Sequence, residues 1–593
     1  VGMVRGKVFF RGPHDGFSQH DAKMAAIGDD DWNWLCDNLK IFLEKIDKTD
    51  LFDSLTDRSQ WQLLEARGPQ EKAPKPLRSM ADFRSKIWDR ELGEGGLIGD
   101  LDTADRSPVP LITTGDLRRF VPYWENKKYA APCEASCPTG IPVQQRWQLV
   151  RDGRMDEAVD LALSYTPFPA AVCGYLCPNL CMTSCTRQIS TMAPVDIRQL
   201  GKASIDAGVP ELPPPSGKRI AVIGGGPAGI SIAWQLRQRG HEATIHDMGE
   251  TLGGKMASSI PDSRIPKEVV SAELNRIQKV IPHVNLKQEL KKEDIETLES
   301  DYDAVVVAVG AQRPRTLPVP GADRLITALD FLTAAKKDGI KPGKRVVIIG
   351  AGNVGCDVAT EAHRLGAEEI TLLDVQEPAS FGKEREDAEA VGSKFRWPVF
   401  TREITDKGVV LQSGELVPAD TVFISIGDQP NIDFLPETVE VERGFVKVNE
   451  YYQTTAPKIF AVGDVAKPGL LTDAIGAGRK AAQAICDILD GNPPTDTTRP
   501  MIDTNRVTLE YFDPRIQAYE DVSHCGEQCA SCGACRDCGA CVAICPETAI
   551  SKTEKPGGEY EYVVDGEKCI GCGFCAQACP CGVWNLVENE PME

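Results

Sequence analysis

The sequence predicts an α/β protein built on two Rossmann-like parallel sheets, with a small cysteine-rich domain on each side. Three observations predict this fold. Short apolar strands alternate with helix-like stretches between about 217 and 490, a glycine-rich turn occurs twice, and most cysteines fall into two groups. With 593 residues, the chain is long enough for several domains.

The composition is that of an ordinary globular protein. The 87 acidic residues outnumber the 66 basic ones and give a formal net charge of −21, which argues against a nucleic acid or an anionic lipid surface as the main partner. The apolar runs have the length of strands, well short of the roughly 18 residues that a membrane-spanning helix needs. The first residues lack the features of a secretory signal, so a cytoplasmic location is expected.

A glycine-rich turn directly follows the first apolar strand of the central region, in segment 220–229. Its three glycines have the G-x-G-x-x-G spacing: the first allows a tight turn, the second lets backbone approach a pyrophosphate, and the third lets helix and strand pack. The helix that follows offers unpaired N–H groups to the anion. A carboxylate about 20 residues further on can bind a ribose. The candidate dinucleotide site consists of Gly224, Gly226, Pro227, Ala228, Gly229 and Asp247.

The same turn recurs after the strand at 345–349. One such motif is a weak signal, because a plain structural turn can produce it, but two in strand-turn-helix context predict two dinucleotide sites. The chemically sensible pair is a resident flavin and an exchangeable nicotinamide. The second candidate site consists of Gly350, Gly352, Asn353, Val354, Gly355 and Asp374.

The 21 cysteines lie mainly in two groups, six within 133–185 and twelve within 525–581, which in a reducing compartment indicates metal ligation rather than disulfides. Two runs of Cys-x2-Cys-x2-Cys-x3-Cys-Pro have the spacing that binds paired [4Fe–4S] clusters in bacterial ferredoxins, where the fourth cysteine of each run ligates the other cluster. One cluster is expected to take Cys535, Cys538, Cys541 and Cys579, and the other Cys569, Cys572, Cys575 and Cys545. Cys525, Cys529, Cys532 and Cys581 are surplus to this scheme and could be alternative ligands, thiols or part of another site.

Further segments at 252–255, 260–266, 308–312, 426–430, 459–464 and 474–479 accompany the two turns. Together they resemble the two-dinucleotide-binding flavoproteins, in particular the small subunit of glutamate synthase and its relatives. The resemblance covers about 130–490 and implies that the first fold holds FAD, that Gly463 and Asp464 contact its ribityl chain, and that a nicotinamide domain is inserted. For Asp464 the alternative is a helix N-cap. The remaining candidates from these segments are Gly254, Arg264, Gly310, Gly427 and Ala474.

The coenzyme preference is predicted from the end of the second strand of the inserted fold. NADPH-dependent members of the family carry Tyr-Arg-Arg there, whereas this chain has Asp374 and no arginine pair. A carboxylate accepts a hydrogen bond from a ribose hydroxyl and repels a 2′-phosphate, so NAD(H) is expected over NADP(H). The alternative is that Asp374 only caps a strand while Lys383 or Arg385 reaches the phosphate.

The first cysteine group resembles the N-terminal iron–sulfur domain of glutamate synthase small subunits and dihydropyrimidine dehydrogenase. Its members are Cys133, Cys137, Cys173, Cys177, Cys181 and Cys185. The relatives hold two clusters and carry another Cys-x-x-Cys just before the equivalent of Cys133, which segment 126–132 lacks. One N-terminal cluster is therefore expected, with a second left open. Its expected ligands are Cys137, Cys177 and Cys181, with a fourth not fixed.

The expected domain order follows from these motifs and from proline-rich breaks. It comprises an N-terminal extension that could bind a partner (1–125), a helical iron–sulfur domain (126–212), an FAD domain (217–330 and 446–495), an inserted NAD domain (331–445), a linker (496–524) and a two-cluster ferredoxin domain (525–593).

These features predict an NADH:acceptor oxidoreductase in which the cofactors carry the chemistry and no side chain is catalytic. Segment 252–270 has no cysteine pair, which argues against disulfide reductases. The expected partner is a larger redox enzyme, and the layout is similar to the flavoprotein partner of dissimilatory sulfite reductase. The alternatives are a glutamate synthase small subunit, an electron-bifurcating subunit and a non-catalytic iron–sulfur assembly protein, and a homodimer stays open.

Overall fold

The computed structural model describes residues 6–19, 21–68, 71, 120–337, 339–496, 498–514, 521–556 and 559–588. Residues 72–119 of the predicted N-terminal extension lie outside the described residues. The chain divides into two compact units, one of residues 1–129, 502–512 and 530–593 and one of residues 130–501 and 513–529. The predicted linker 496–524 is thus shared between the two units.

The first unit begins with a small antiparallel sheet. Its strands lie in the spatial order Lys7–Arg11, Trp61–Ala66, Ala22–Ala25. The helices Asp29–Lys45 and Phe52–Leu55 come between Ala22–Ala25 and Trp61–Ala66 in the sequence. Leu63 of the central strand is 1% exposed, so this part of the chain has an apolar interior of its own.

The cysteine-rich part of the first unit consists of two short antiparallel pairs and the helices Ala540–Ile544 and Phe574–Gln577. Ile550–Glu554 pairs with Tyr560–Val564, and Phe120–Trp124 pairs with Trp584–Glu588. Residues 120–124, predicted to belong to the N-terminal extension, therefore form a strand of the ferredoxin-type domain instead. The partner strand lies at the other end of the sequence, so no local pattern announces the pairing.

The second unit contains the first predicted parallel sheet. Its order is Ile459–Ala461, Ala304–Val307, Arg219–Ile223, Glu242–His246, His283–Asn285, with every pair parallel. The central strands are apolar along their length because helices cover one face and further apolar side chains cover the other. The helices are Pro227–Arg237, Gly254–Ser258, Lys267–Val280, Lys292–Asp301 and Leu471–Leu489.

The second parallel sheet is inserted between strands of the first. Its order is Ile326–Thr327, Thr421–Ile424, Arg345–Ile349, Glu369–Leu373, Lys394–Arg396, and its helices are Ala328–Ala335, Asn353–Arg364 and Gly382–Ala390. The remaining strands of this region are Thr401–Thr405, Gly408–Leu411 and Leu416–Pro418 in one antiparallel sheet, and the pairs Arg313–Pro314 with Asp428–Gln429 and Val441–Glu442 with Phe445–Val446.

The predicted boundaries of the insertion, 331 and 445, are shifted in the structure. The first strand of the inserted sheet already lies at Ile326–Thr327, whereas Leu435 and Val439 are buried in the same core as Ala221 of the first sheet. Apolar periodicity alone does not say which of two neighbouring cores a side chain enters.

The helical part of the second unit precedes the first sheet and shares its core. Trp234 donates its indole N–H to the carbonyl of Leu163 at 2.7 Å, and both residues are buried in one cluster. The helices are Pro132–Ala135, Val143–Arg151, Met155–Asp160, the π-helical Pro169–Leu176, Leu180–Thr183 and Ile197–Ala203.

The helix Val522–Gln528 also belongs to the second unit. Residues 525–529 are therefore not part of the ferredoxin-type domain, contrary to the predicted boundary at 525. Across the described ranges, no helix is both long and apolar enough to cross a membrane.

Candidate functional site

The three glycines of the first turn have three different surroundings. Gly224 has φ +108°, and a Cβ there would lie 2.4 Å from the carbonyl oxygen of Ala308; at Gly229 it would lie 1.9 Å from the oxygen of Gly224. At Gly226 a Cβ would meet only the Cα of Gly254 at 3.9 Å. The middle glycine, which caps the helix Pro227–Arg237, thus faces space that a pyrophosphate can fill.

The second turn repeats this arrangement. Gly350 has φ +106° and packs on the backbone of Ser425, and a Cβ at Gly355 would lie 2.3 Å from the oxygen of Gly350. At Gly352 a Cβ would meet nothing within 4 Å. The residues of both turns therefore fit a dinucleotide, since tight packing surrounds the outer glycines and open space adjoins the middle one.

The two predicted ribose carboxylates each bind their own turn. Asp247 accepts hydrogen bonds from the N–H groups of Gly225 and Gly249, at 2.5 and 2.6 Å. Asp374 accepts from the N–H of Ala351 at 2.9 Å. Each carboxylate is thereby held beside a glycine-rich turn, as ribose binding requires.

At the second turn, Asn353 uses its side-chain oxygen to accept a hydrogen bond from the N–H of Phe381 at 3.0 Å. Val354 next to it is 52% exposed. The helix that begins here, Asn353–Arg364, therefore presents an uncovered apolar side chain in its first turn.

The other candidates of the first fold lie beside the first turn. Gly463 has φ +76°, and a Cβ there would lie 2.8 Å from the Cβ of Ala228 and 3.7 Å from that of Ala474. A Cβ at Gly254 would lie 2.9 Å from the Cα of Gly226. These five residues therefore meet at one place in the fold.

Gly310 and Gly427 are less constrained. Both have positive φ, +65° and +92°, and a Cβ at Gly427 would meet nothing within 4 Å. Gly310 follows the strand Ala304–Val307, and Gly427 follows Thr421–Ile424, so each lies past the carboxyl end of a parallel strand, where nucleotides bind in such sheets.

A lysine that sequence reasoning did not select lies among the carboxylates of this region. Lys255 donates to Asp428 at 2.6 Å. Burial raises the pKa of Asp464, and the nearby Lys255 opposes that rise. Asp464 is not the N-cap of the helix Leu471–Leu489, because Leu470 occupies that position; Asp464 accepts the N–H of Gly469 at 3.4 Å. The helix-cap alternative for Asp464 is thereby removed for this helix.

Arg264, expected at a cofactor, is engaged elsewhere. Its guanidinium donates to Asp357 at 2.7 Å and to Glu384 at 2.8 Å, and only 10% of its side chain is exposed. Both carboxylates belong to helices of the inserted sheet. Arg264 therefore links the two folds.

Four cysteines of the first group line one cavity of about 460 Å³. They are Cys137, Cys173, Cys177 and Cys181. Cys173, which the sequence left unassigned as the fourth ligand, comes from the π-helical segment Pro169–Leu176. Burial raises the pKa of the Cys177 thiol to about 11. Four sulfurs around one cavity fit a [4Fe–4S] cluster.

A buried cation and a hydroxyl complete this cavity. Arg146 is 0% exposed and donates to the carbonyl of Ala158 at 2.7 Å and to Ser204 at 2.9 Å. Its Nη1 and the hydroxyl of Thr472, both lining the cavity, are buried without a hydrogen-bond partner in the described structure. Sequence reasoning missed both, since neither belongs to a motif.

The eight cysteines of the two C-terminal runs form the two predicted sets. Cys545, Cys569, Cys572 and Cys575 line a second cavity of about 340 Å³. In the other set, burial raises the pKa of Cys535 to about 11 and that of Cys541 to about 12, and the neighbouring thiols Cys538 and Cys579 raise both further. The structure thus brings the fourth cysteine of each run to the other run.

Cys581, which the predicted ligand scheme left unassigned, lies beside the set that contains Cys535, Cys538, Cys541 and Cys579. Its thiol donates to Cys579, which lowers the pKa of Cys579 to about 6. Across the described ranges, no three His, Cys, Asp or Glu side chains converge as the ligands of a single metal ion do. A four-iron cube holds its ligands further apart than one ion does.

Two nucleotide turns on parallel sheets, joined to cysteine sets of cluster size, define a flavin- and pyridine-nucleotide-dependent iron–sulfur oxidoreductase. Family models match accordingly: pyridine nucleotide-disulphide oxidoreductase at 218–478, dihydropyrimidine dehydrogenase domain II with a 4Fe-4S cluster at 126–210, and a 4Fe-4S dicluster domain at 534–583. These domains imply FAD, NAD(P) and [4Fe–4S] clusters, as the sequence predicts.

Curated relatives agree. The NAD-dependent dihydropyrimidine dehydrogenase subunit PreT of Escherichia coli O157:H7 is 31% identical over 384 residues, covering 61% of this chain and 92% of the relative. The glutamate synthase [NADPH] small chain of Azospirillum brasilense is 28% identical over 412 residues, covering 60% of this chain and 85% of the relative. The chain belongs to this family of FAD- and NAD(P)-dependent iron–sulfur oxidoreductases.

A longer alignment is found with the beta subunit of the NADP(+)-dependent formate dehydrogenase of Moorella thermoacetica, at 28% identity over 510 residues, 74% of this chain and 70% of the relative. The beta subunit of the NADPH-Fe(3+) oxidoreductase of Geobacter sulfurreducens is 30% identical over 390 residues. This alignment covers 58% of this chain and 57% of the relative. Among solved structures, T. acidophilum thioredoxin reductase matches 46% of this chain and 99% of its own, at 19% identity and a TM-score of 0.37.

Proposed function

We propose that this chain is the electron-transfer subunit of a larger redox enzyme and that it uses NADH. FAD, when bound, exchanges a hydride with the nicotinamide and single electrons with the iron–sulfur clusters. The chain's own residues bind and position: the glycine-rich turns bind the pyrophosphates, and Asp247 and Asp374 hold the riboses. The names of the related PreT, formate dehydrogenase and Fe(3+) oxidoreductase chains describe subunits of larger enzymes, which supports a protein partner.

The observation that carries this proposal is the contact between the cysteine cavity and the first fold. Thr472 lines the cavity and lies in the first turn of the helix Leu471–Leu489. Ala474, two residues on, faces Gly463 at the first nucleotide turn. A Cβ at Gly476 of the same helix would lie 2.2 Å from the oxygen of Pro138, the residue after Cys137. One helix therefore contacts both the proposed cluster and the proposed FAD site.

The preference for NADH is supported by the surroundings of Asp374. Arg385, the alternative phosphate ligand, pairs with Glu389 at 2.5 Å and stacks on Phe395, its guanidinium carbon 3.5 Å from the ring centroid. Lys383 lies 4.0 Å from Asp387. The Asp374 carboxylate accepts the N–H of Ala351 in the turn itself, and a carboxylate there repels a 2′-phosphate.

The direct test is the rate of flavin reduction by each coenzyme in the anaerobic protein. NADH should reduce the flavin at least about tenfold more efficiently than NADPH, which corresponds to about 1.4 kcal/mol of discrimination. A preference for NADPH would overturn the coenzyme assignment and leave the iron–sulfur assignment standing. Dissimilatory sulfite reductase, raised by the resemblance, is the first partner to assay with the reduced protein.

A further inference from the structure

The helix Val522–Gln528 is packed tightly against the helix Val143–Arg151. A Cβ at Gly526 would lie 3.1 Å from Cγ1 of Val150, so only glycine allows this approach without a shift. Arg151 donates to the carbonyl of Gly526 at 2.7 Å and to that of Cys529 at 3.3 Å. This segment, distant in sequence, is therefore fixed to the helical iron–sulfur part.

A second arginine holds the segment from another side. Arg187, 1% exposed, donates to the carbonyl of Gln528 at 3.4 Å and to that of Asp513 at 2.8 Å. The side chain of Gln528 in turn accepts the N–H of Asp513 at 2.9 Å. Two buried or half-buried arginines thus bind backbone carbonyls at the end of this helix, as a segment with a defined position requires.

The packing brings two cysteines of this segment to the first cysteine group. Cys525 is 0% exposed and Cys529 is 8% exposed, and both lie in the apolar cluster against which Cys133 packs. Cys185 lies two residues before Arg187, whose guanidinium donates to the carbonyl of Gln528, the residue before Cys529. The backbone N–H of Asp196 donates to Cys525.

These cysteines are distinct from the set that lines the cavity. Cys185 follows the short helix Leu180–Thr183, on which the helix Pro132–Ala135 with Cys133 packs. Neither cysteine lines the 460 Å³ cavity. Cys133, Cys185, Cys525 and Cys529 are therefore left over once the cavity set is assigned, and they lie on three segments of the second unit that pack on common elements.

We propose that Cys133, Cys185, Cys525 and Cys529 form a second cluster site in this unit and bind a [4Fe–4S] cluster. This inference deepens the proposed function by adding a redox centre, and it rests on that function for the role of the centre. Four cysteines are the usual ligand set of such a cluster. Each ligand binds iron as a thiolate, so four thiol protons are released to solvent as the cluster is bound.

The site also accounts for two surplus cysteines. Cys529 lies six residues before Cys535, the first cysteine of the C-terminal runs. A cluster here fastens the chain just before it enters the ferredoxin-type domain. The N-terminal pair alone supplies only two ligands, so the C-terminal segment completes the site.

The test counts iron, acid-labile sulfide, zinc and FAD in the full chain reconstituted without oxygen. The double variant Cys525→Ser/Cys529→Ser should lose about four irons per chain, as should Cys133→Ser/Cys185→Ser. The quadruple variant should also lose about four, because all four residues hold one cluster. Cys486→Ser, which removes a buried cysteine in the helix Leu471–Leu489, should lose none.

An unchanged iron content in Cys525→Ser/Cys529→Ser would overturn the site, as would a loss of about eight irons in the quadruple variant. Zinc in place of iron would also contradict it. If a variant does not fold, native mass spectrometry of the unaltered protein decides, since the site requires about sixteen irons per chain rather than about twelve. None of these counts uses a coenzyme or a partner, so a failed NADH assay would leave the result intact.

Discussion

Arg264 and Asp357 form an ion pair of 2.7 Å between the two nucleotide-binding folds, with both side chains at most 14% exposed. Glu384 provides the second carboxylate at 2.8 Å. Because the nicotinamide ring reaches the flavin only if the inserted fold is correctly placed, this pair is a positioning contact. It explains why Arg264 accompanies the nucleotide motifs in sequence without lying at a nucleotide turn.

The pair predicts a pH dependence of stability. Burial raises the pKa of Asp357 from 3.8 to about 6, although Arg264 opposes the rise. A carboxyl with a higher pKa in the folded than in the unfolded state binds protons more tightly when folded, so its contribution to stability grows as the pH falls from about 6 toward 4. The unaltered protein should therefore gain stability relative to the Asp357→Asn variant as the pH is lowered from 7 to 5. Denaturant titration of both proteins measures this difference in the free energy of unfolding. A constant difference would contradict the raised pKa.

The glycine surroundings predict two different phenotypes at one turn. Gly226→Ala faces open space, so the variant should keep its melting temperature within a few degrees but retain little FAD. Gly229→Ala brings a Cβ to 1.9 Å from a carbonyl oxygen, so it should lower stability by about 2–3 kcal/mol as well. Thermal unfolding and flavin content after desalting separate the two effects. Full FAD retention in Gly226→Ala would show that the pyrophosphate lies elsewhere.

At the second turn, the middle glycine also faces open space, so its substitution should weaken binding of the nicotinamide coenzyme without affecting FAD. Gly352→Ala should fold and keep FAD, because a Cβ there meets no atom within 4 Å, while KM for NADH rises by about tenfold or more. Steady-state kinetics with an artificial acceptor measures this. Gly366→Ala, which also has open space but a φ of +106° away from the turn, serves as the control and should leave KM unchanged.

Arg146 predicts a shift in the potential of the cluster in the 460 Å³ cavity. A reduced cluster carries one more negative charge, so the nearby guanidinium stabilises the reduced state. Arg146→Gln should lower the midpoint potential by on the order of 50 mV, about tenfold in the one-electron equilibrium. Arg146→Lys loses similar hydrogen bonds but keeps the charge and should shift far less. The midpoint potentials are measured by redox titration monitored by electron paramagnetic resonance. Equal shifts of the potential in the two variants would show that the effect comes from packing rather than from charge.

The net charge of −21 predicts electrostatic docking to a basic protein acceptor. NADH-driven reduction of a basic acceptor protein such as cytochrome c should slow several-fold between 20 and about 200 mM salt, because exposed charges are screened over roughly 10 Å at 0.1 M. Reduction of a small neutral quinone should not change. Equal salt dependence for both acceptors would contradict charge-guided docking.

The parts of the fold that sequence reasoning predicts are those whose chemistry is local. The turns at Gly224 and Gly350 are readable because strand, turn and helix follow one another directly, and the C-terminal runs are readable because their spacing itself wraps a cluster. Cys173 could have been chosen as the fourth ligand only by knowing the path of the π-helical segment.

The features that escaped prediction depend on contacts between distant parts of the chain. The strand Phe120–Trp124 finds its partner near the C-terminus, and the helix Val522–Gln528 finds its place beside Val143–Arg151. Arg146 carries no motif and matters only because the fold buries it next to cysteines. Such relationships come from tertiary packing, which periodicity and spacing do not encode.

The central claim is that electrons pass between NADH and iron–sulfur clusters through a bound flavin in this one chain. Anaerobic titration of the purified protein with NADH tests it most directly, with flavin absorbance and electron paramagnetic resonance recorded on the same sample. The account predicts that the flavin bleaches and that signals of reduced [4Fe–4S] clusters then appear in the unaltered protein but not in Gly226→Ala. Bleaching that leaves every cluster oxidised, or a protein that binds no flavin, would contradict it.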